Sequence, residues 1–115
     1  MQFIALIYDV EGSEDVDWDT LMEQYGEFSA GLTDAGGMLG GEALEPISTA
    51  TSIRVRNGKT EIIDGPFAET KEQLGGFYLM ECKDLDEAIK WAAKIPTARY
   101  GTVEIRPVMV FDGEQ

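Results

Sequence analysis

Phe77–Pro96 reads FYLMECKDLDEAIKWAAKIP, and its two halves follow different periods. Phe77 to Cys82 is a short run with large apolar groups on both alternating faces, the pattern of a strand covered on both sides. Asp84-Leu85-Asp86-Glu87 has the spacing of a capping box, with a carboxylate at the cap and another three residues on. Leu85, Ala88, Ile89, Ala92 and Ile95 then recur at three and four residues, a helical stripe that Pro96 is expected to stop. Beyond it, Thr102–Val110 reads as a last strand, with Val103 and Ile105 facing one way and Glu104 and Arg106 the other. This half of the chain is a strand–helix–strand unit.

The other half repeats that order. Residues 2–8 alternate Phe3, Ala5 and Ile7 on one face with Ile4, Leu6 and Tyr8 on the other, a first strand that is also apolar on both sides. Trp18, Leu21, Met22, Tyr25, Phe28, Leu32 and Ala35 form one helical stripe, which Gly36-Gly37 ends. Met38–Leu44 is a strand interrupted by glycines, and Pro46 marks the loop after it. Between the halves, Thr51–Arg56 and Lys59–Ile63 flank Asn57-Gly58, the strongest short hairpin signal, and Thr51–Arg56 alternates like a half-buried strand. Asp64-Gly65-Pro66-Phe67 reads as a turn, with Phe67 as a core plug. Ala68–Leu74 reads as one to two turns of helix closed by Gly75-Gly76.

Two strand–helix–strand units predict an α+β fold, a ferredoxin-like split βαβ sandwich with both helices on one face of an antiparallel sheet. The two-faced strands leave large apolar groups on the opposite face. A second copy of the chain is the simplest cover, which predicts a homodimer closed as a dimeric α+β barrel.

The chain of 115 residues suits one domain over 1–115. Nine basic residues against 22 acidic ones give a net charge of −13, a field that repels DNA, RNA and anionic lipid. Six of the eleven residues Asp9–Asp19 are carboxylates, read as a solvated helix entrance because they lack the spacing of a calcium loop. No histidine is present, which excludes a Ser-His-Asp triad, a Cys-His pair and His-ligated zinc within one chain. The lone Cys82 reads as a small buried hydrophobe. No apolar run reaches the length of a membrane span, and residues 1–8 lack the features of a signal peptide, so a cytoplasmic location is expected. The glycine pairs match neither GxGxxG nor a P-loop, and no cofactor or metal is expected.

Asp64–Gly76, DGPFAETKEQLGG, followed by the Phe77–Pro96 stretch and GTVEIRPV at 101–108, closely resembles the DGPF (DGPFAETKE) proteins of the YCII-related family, within the dimeric α+β barrel superfamily. GGEAL at 40–44 and TSIRVRNGKT at 51–60 fit the same family. Most members of that family are uncharacterised bacterial proteins, and some look like companions of extracytoplasmic-function sigma factors, so the resemblance implies a bacterial protein with a sigma factor as a candidate partner. More distant YCII members are enzymes with a proposed His-Asp acid–base dyad, which a chain without histidine cannot carry. By position, only the Asp64 motif transfers.

Asp64 admits two readings. It is a base or polar anchor, with Lys71 neutralising an anionic ligand and Glu69 nearby, or it caps its own turn while Lys71 pairs with Glu69 or Glu72 on the surface. Glu42, after Gly40-Gly41, is a second candidate base or ligand contact, and the glycines equally mark a bulge. Tyr8 and Arg106, on the sheet face away from the helices, suit a carboxylate or phenol ligand, or subunit packing. These residues point to small-ligand binding or partner regulation. The alternatives are acid–base chemistry on a small organic molecule and an interaction module for a sigma factor.

Overall fold

A computed structural model describes residues 1–12 and 16–111, so Glu14 and Asp15 of the acidic run lie outside the described residues. Strands β1 (Gln2–Asp9) and β2 (Met38–Ala43) flank β5 (Gln73–Glu81), and β5 and β6 (Thr102–Pro107) flank β1. The sheet order is β2-β5-β1-β6, with every neighbouring pair antiparallel. Helix α1 (Trp18–Asp34) connects β1 to β2, and α2 (Leu85–Ala92) connects β5 to β6. Each strand–helix–strand unit therefore leaves a gap that a strand of the other unit fills. This is the ferredoxin-like split arrangement of an α+β sandwich.

The core lies between the helices and one sheet face. Phe3, Ala5 and Ile7 of β1 are buried with Phe28 and Leu32 of α1, Ala88 and Ala92 of α2, and Ile95. Phe28 joins the two helices to the sheet, its ring edge-on to Tyr78 at 5.0 Å and to Trp91 at 6.1 Å. α2 starts as its capping spacing implies: the Asp84 carboxylate accepts from Glu87 N–H at 2.9 Å, and the Glu87 carboxylate accepts from Lys83 N–H at 2.9 Å. α1 does not use its Asp17 in that way, since this carboxylate accepts from the Thr20 hydroxyl instead of a backbone N–H. Cys82 is buried, and burial, then Glu87 and Glu81, push its thiol pKa up, which keeps it protonated and inert.

Several local expectations are corrected. Ala68–Leu74 is not helical: Gln73 donates its side-chain amide to the Ala68 and Thr70 carbonyls, pinning an irregular loop, and β5 begins at Gln73. Gly75 and Gly76 are therefore inside a strand. A Cβ at Gly76 would stand 2.9 Å from the Glu42 carbonyl, so glycine there lets β2 and β5 pair closely. α2 ends at Ala92, and Pro96 opens a 3-10 turn, Pro96–Arg99, instead of ending the helix. β6 ends at Pro107 because its partner β1 begins at Gln2: the Val108 N–H bond to the Gln2 carbonyl takes the end of that strand.

The hairpin forms as expected, β3 (Thr51–Arg56) and β4 (Lys59–Asp64) turning at Asn57 and Gly58 with φ of +52° and +73°. It does not join the main sheet, and β3 is not half-buried within the chain. Ile53 and Ile62, directly opposite each other, are 64% and 68% exposed. Nor is Phe67 a core plug: it is 76% exposed, with the Arg54 guanidinium 5.4 Å from its ring. The ribbon extends a flat body of 47 × 46 × 18 Å. The radius of gyration is 16.2 Å, against about 13 Å for a compact domain of this length. Among the described residues no helix is long and apolar enough to cross a membrane.

Candidate functional site

The first turns of α1 stand off the sheet and leave a cleft of about 760 Å³ over β1, β5 and β2. Its helix wall carries Trp18, Leu21, Met22, Tyr25 and Ser29, and its floor includes Ile7, Met38, Gly41 and Tyr78. Gly41 is required there because the Tyr78 ring occupies the space of its side chain. A Cβ at Gly41 would be 2.8 Å from Tyr78 Cδ1 and 2.8 Å from the Phe77 carbonyl.

Two pairs of hydroxyls brace the cleft. Tyr25 Oη lies 2.6 Å from Thr97 Oγ1, and Ser29 Oγ lies 3.0 Å from Tyr78 Oη. The Tyr25 and Tyr78 rings stack at 6.4 Å between centroids. Burial raises the Tyr25 phenol pKa, an effect partly offset by its bond to Thr97, so it stays a neutral hydroxyl. These bonds tie α1 to the turn before β6 and to β5, and so fix the position of the helix wall relative to the sheet.

Asp9 ends β1 on the same face as Phe3, Ala5 and Ile7, and lines the cleft. Burial, then the charges of Glu11 and Glu72, raise its carboxyl pKa above the usual range. Glu11 is held by accepting from Ile47 N–H at 2.8 Å, and Glu72 by accepting from the Thr102 hydroxyl at 2.9 Å. Reading the acidic run as a solvated helix entrance hid Asp9. The signal that identifies it is the β1 alternation, continued by one step past Ile7.

The six residues singled out from sequence do not converge. Glu42 lines the cleft wall, although strand alternation aims it away from Gly41. Tyr8 pairs with Thr102, and Arg106 with Ile4, on the sheet face away from the helices. Asp64 ends β4 in the exposed ribbon, and Glu69 and Lys71 lie exposed in the loop before β5. Among the described residues, the Asp64 carboxylate has no hydrogen-bond partner, and Lys71 forms no ion pair with Glu69 or Glu72; the ion pair found joins the Met1 ammonium to Glu81 at 2.6 Å. Nor do three or more carboxylate or thiol groups converge as a metal site among them.

The turn after Asp64 is held by other groups. Gly65 N–H donates to the Ala50 carbonyl at 2.7 Å, and Ser52 Oγ donates to the Gly65 carbonyl at 2.9 Å. Asp64→Ala is therefore predicted to change stability by under about 0.5 kcal/mol, as surface substitutions usually do. Lys71→Ala should be equally silent. A denaturant melt checks both, and a loss of about 1 kcal/mol or more for Asp64→Ala would mean that its side chain holds the turn after all.

5-Chloro-2-hydroxyhydroquinone dehydrochlorinase (TftG) from Burkholderia phenoliruptrix AC1100, solved with 2,5-dihydroxybenzoquinone, superposes with a TM-score of 0.61 over 100% of both chains. At 15% identity this likeness concerns the fold alone. An uncharacterized protein of Rhizobium meliloti (strain 1021) is 46% identical over 70 residues, which make up 59% of this chain and 56% of that protein. The chain thus matches little more than half the length of that relative. The model of the YCII-related domain matches residues 1–112, and the chain accordingly belongs to the YCII-related domain family.

Proposed function

We propose that this chain is a homodimeric small-molecule-binding protein whose ligand lies in the cleft between α1 and the sheet. The cleft itself carries the reading: about 760 Å³, largely apolar and aromatic, with a few placed hydroxyls and one perturbed carboxyl. The TftG complex with a small quinone ring supports a ligand of that size on this fold. The homodimer is supported by the uncovered sheet face and by the extended ribbon.

Glu42 enters this reading as a cleft residue, and Tyr8 and Arg106 as groups between the subunits. Asp64, Glu69 and Lys71 enter it only if a second copy brings its loop to the cleft mouth. The raised carboxyl of Asp9 favours one second reading, acid–base chemistry on the bound molecule, with Asp9 or Glu42 as the base.

A thermal-shift screen of small ring compounds tests the proposal, because a ligand that binds only the folded state raises its melting temperature. Met22 lines the cleft and is 41% exposed, so Met22→Trp fills space at modest cost to folding. Hits should disappear in this variant. Hits that persist at full strength would place the ligand elsewhere.

A further inference from the structure

The first 53 residues contain eleven Asp and Glu and no Lys, Arg or His. They supply β1, α1 and β2, and with them most of the cleft. The later residues that line it, among them Gly75, Gly76, Phe77, Tyr78 and Thr97, add no cation. Two carboxylates, Asp9 and Glu11, therefore line a partly enclosed space with no basic side chain among its lining residues, and Glu42 borders it from β2 with its side chain aimed to the other face. Low-dielectric walls concentrate such a field, and it repels any anion that enters. Aromatic groups complete the lining. Trp18 is 66% exposed beside the cleft, and Tyr25 and Tyr78 stack within it.

We propose that the cleft takes an aromatic molecule bearing a protonated amine, with the ring against Trp18, Tyr25 and Tyr78 and the ammonium against Asp9. The proposal rests on the cleft being the ligand site. Asp9 suits the role by its surroundings. Gly75 and the backbone before β6 crowd it from two sides: a Cβ at Gly75 would lie 3.5 Å from Asp9 Oδ1, and one at Gly101 would lie 3.1 Å from Asp9 Cβ. Glu11 and Glu72 are the charged groups that act on it, both of its own sign, and their repulsion with burial raises its pKa. A bound cation relieves that repulsion, and an aromatic face adds to the attraction once water is excluded.

Three probes of nearly equal shape separate the terms: phenethylamine, 2-phenylethanol and 3-phenylpropionate, followed by calorimetry at neutral pH and moderate salt. The amine should bind at least about 10-fold tighter than the alcohol, a ratio corresponding to about 1.4 kcal/mol, and the carboxylate should bind weakest. Asp9→Asn should bring the amine to the level of the alcohol and leave the alcohol unchanged, which also reports that the variant is folded. Amine affinity should fall with added salt, and as pH drops through the raised titration of Asp9. Alcohol binding equal to or tighter than amine binding, abolished by Met22→Trp, would overturn the charge assignment and keep the cleft. Failure of all three to bind would overturn both.

Discussion

Gly101→Ala is expected to remove about 3 kcal/mol of stability, the upper range for forcing atoms into packed space. A Cβ at this position would stand 2.2 Å from the Tyr8 carbonyl oxygen, 3.0 Å from Thr97 Cγ2 and 3.1 Å from Asp9 Cβ. The first of these is backbone, and it cannot swing aside as the end of a side chain does. Gly101 is also tied by its N–H to the Thr97 carbonyl at 2.7 Å. Relief therefore has to come from moving the end of β1 away from the start of β6, where Tyr8 pairs with Thr102. That shift displaces Asp9 and pulls on Thr97, which holds Tyr25 across the cleft. Ligand binding should weaken along with stability.

Gly26 is the contrast. It lies inside α1 with nothing within 4 Å of its would-be Cβ, so Gly26→Ala should stabilise by about 0.5–1 kcal/mol through helix propensity. Denaturant melts of the two variants give opposite signs. A loss below about 1 kcal/mol for Gly101→Ala would show that the β1–β6 junction is slack.

Leu6→Glu is expected to convert the proposed homodimer to a monomer. Leu6 pairs with Phe77 on one side and Glu104 on the other, on the face that the helices leave uncovered. Ile4 and Leu79, paired with each other, extend that apolar strip. Closed against a second copy, a carboxylate there is buried without a partner, which costs several kcal/mol, and Glu104 beside it adds like-charge repulsion. A penalty of about 3 kcal/mol weakens association roughly 100-fold. Light scattering at micromolar concentration should give twice the 12.7 kDa chain mass for the parent and the chain mass for the variant. A parent protein that is itself monomeric under these conditions would sink the homodimer. The variant should keep the chain's own fold, since Leu6 lies opposite the core formed by Phe3, Ala5 and Ile7.

The fold was legible because its signals are local and periodic. Alternation in residues 2–8, the three-and-four spacing of both helical stripes, the Asp84 cap and the Asn57-Gly58 turn each depend on neighbours within a few residues. Their order then leaves few topologies, and the split βαβ sheet is among them. The residues around Asp64 were misread for the same reason in reverse. Ala68–Leu74 has helix-forming composition, but pairing of Gln73 and Leu74 with Asp9 and Tyr8 draws the segment's end into β5. Phe67 reads as core by its chemistry alone, while the ribbon that carries the motif stands clear of the sheet.

The cleft was decided by tertiary structure. Its hydroxyl pairs join residues 72 and 49 positions apart, and nothing in the spacing of Tyr25 and Thr97 or of Ser29 and Tyr78 predicts that they meet. Asp9 shows where the two kinds of information divide. Sequence alternation alone puts its side chain on the helix face of β1. Its raised pKa depends on burial and on Glu72, which lies 63 positions away along the chain. Residue type and period settle which way a side chain points. What it then faces is set by long-range packing, because electrostatic and steric surroundings follow distance in space and not separation along the chain.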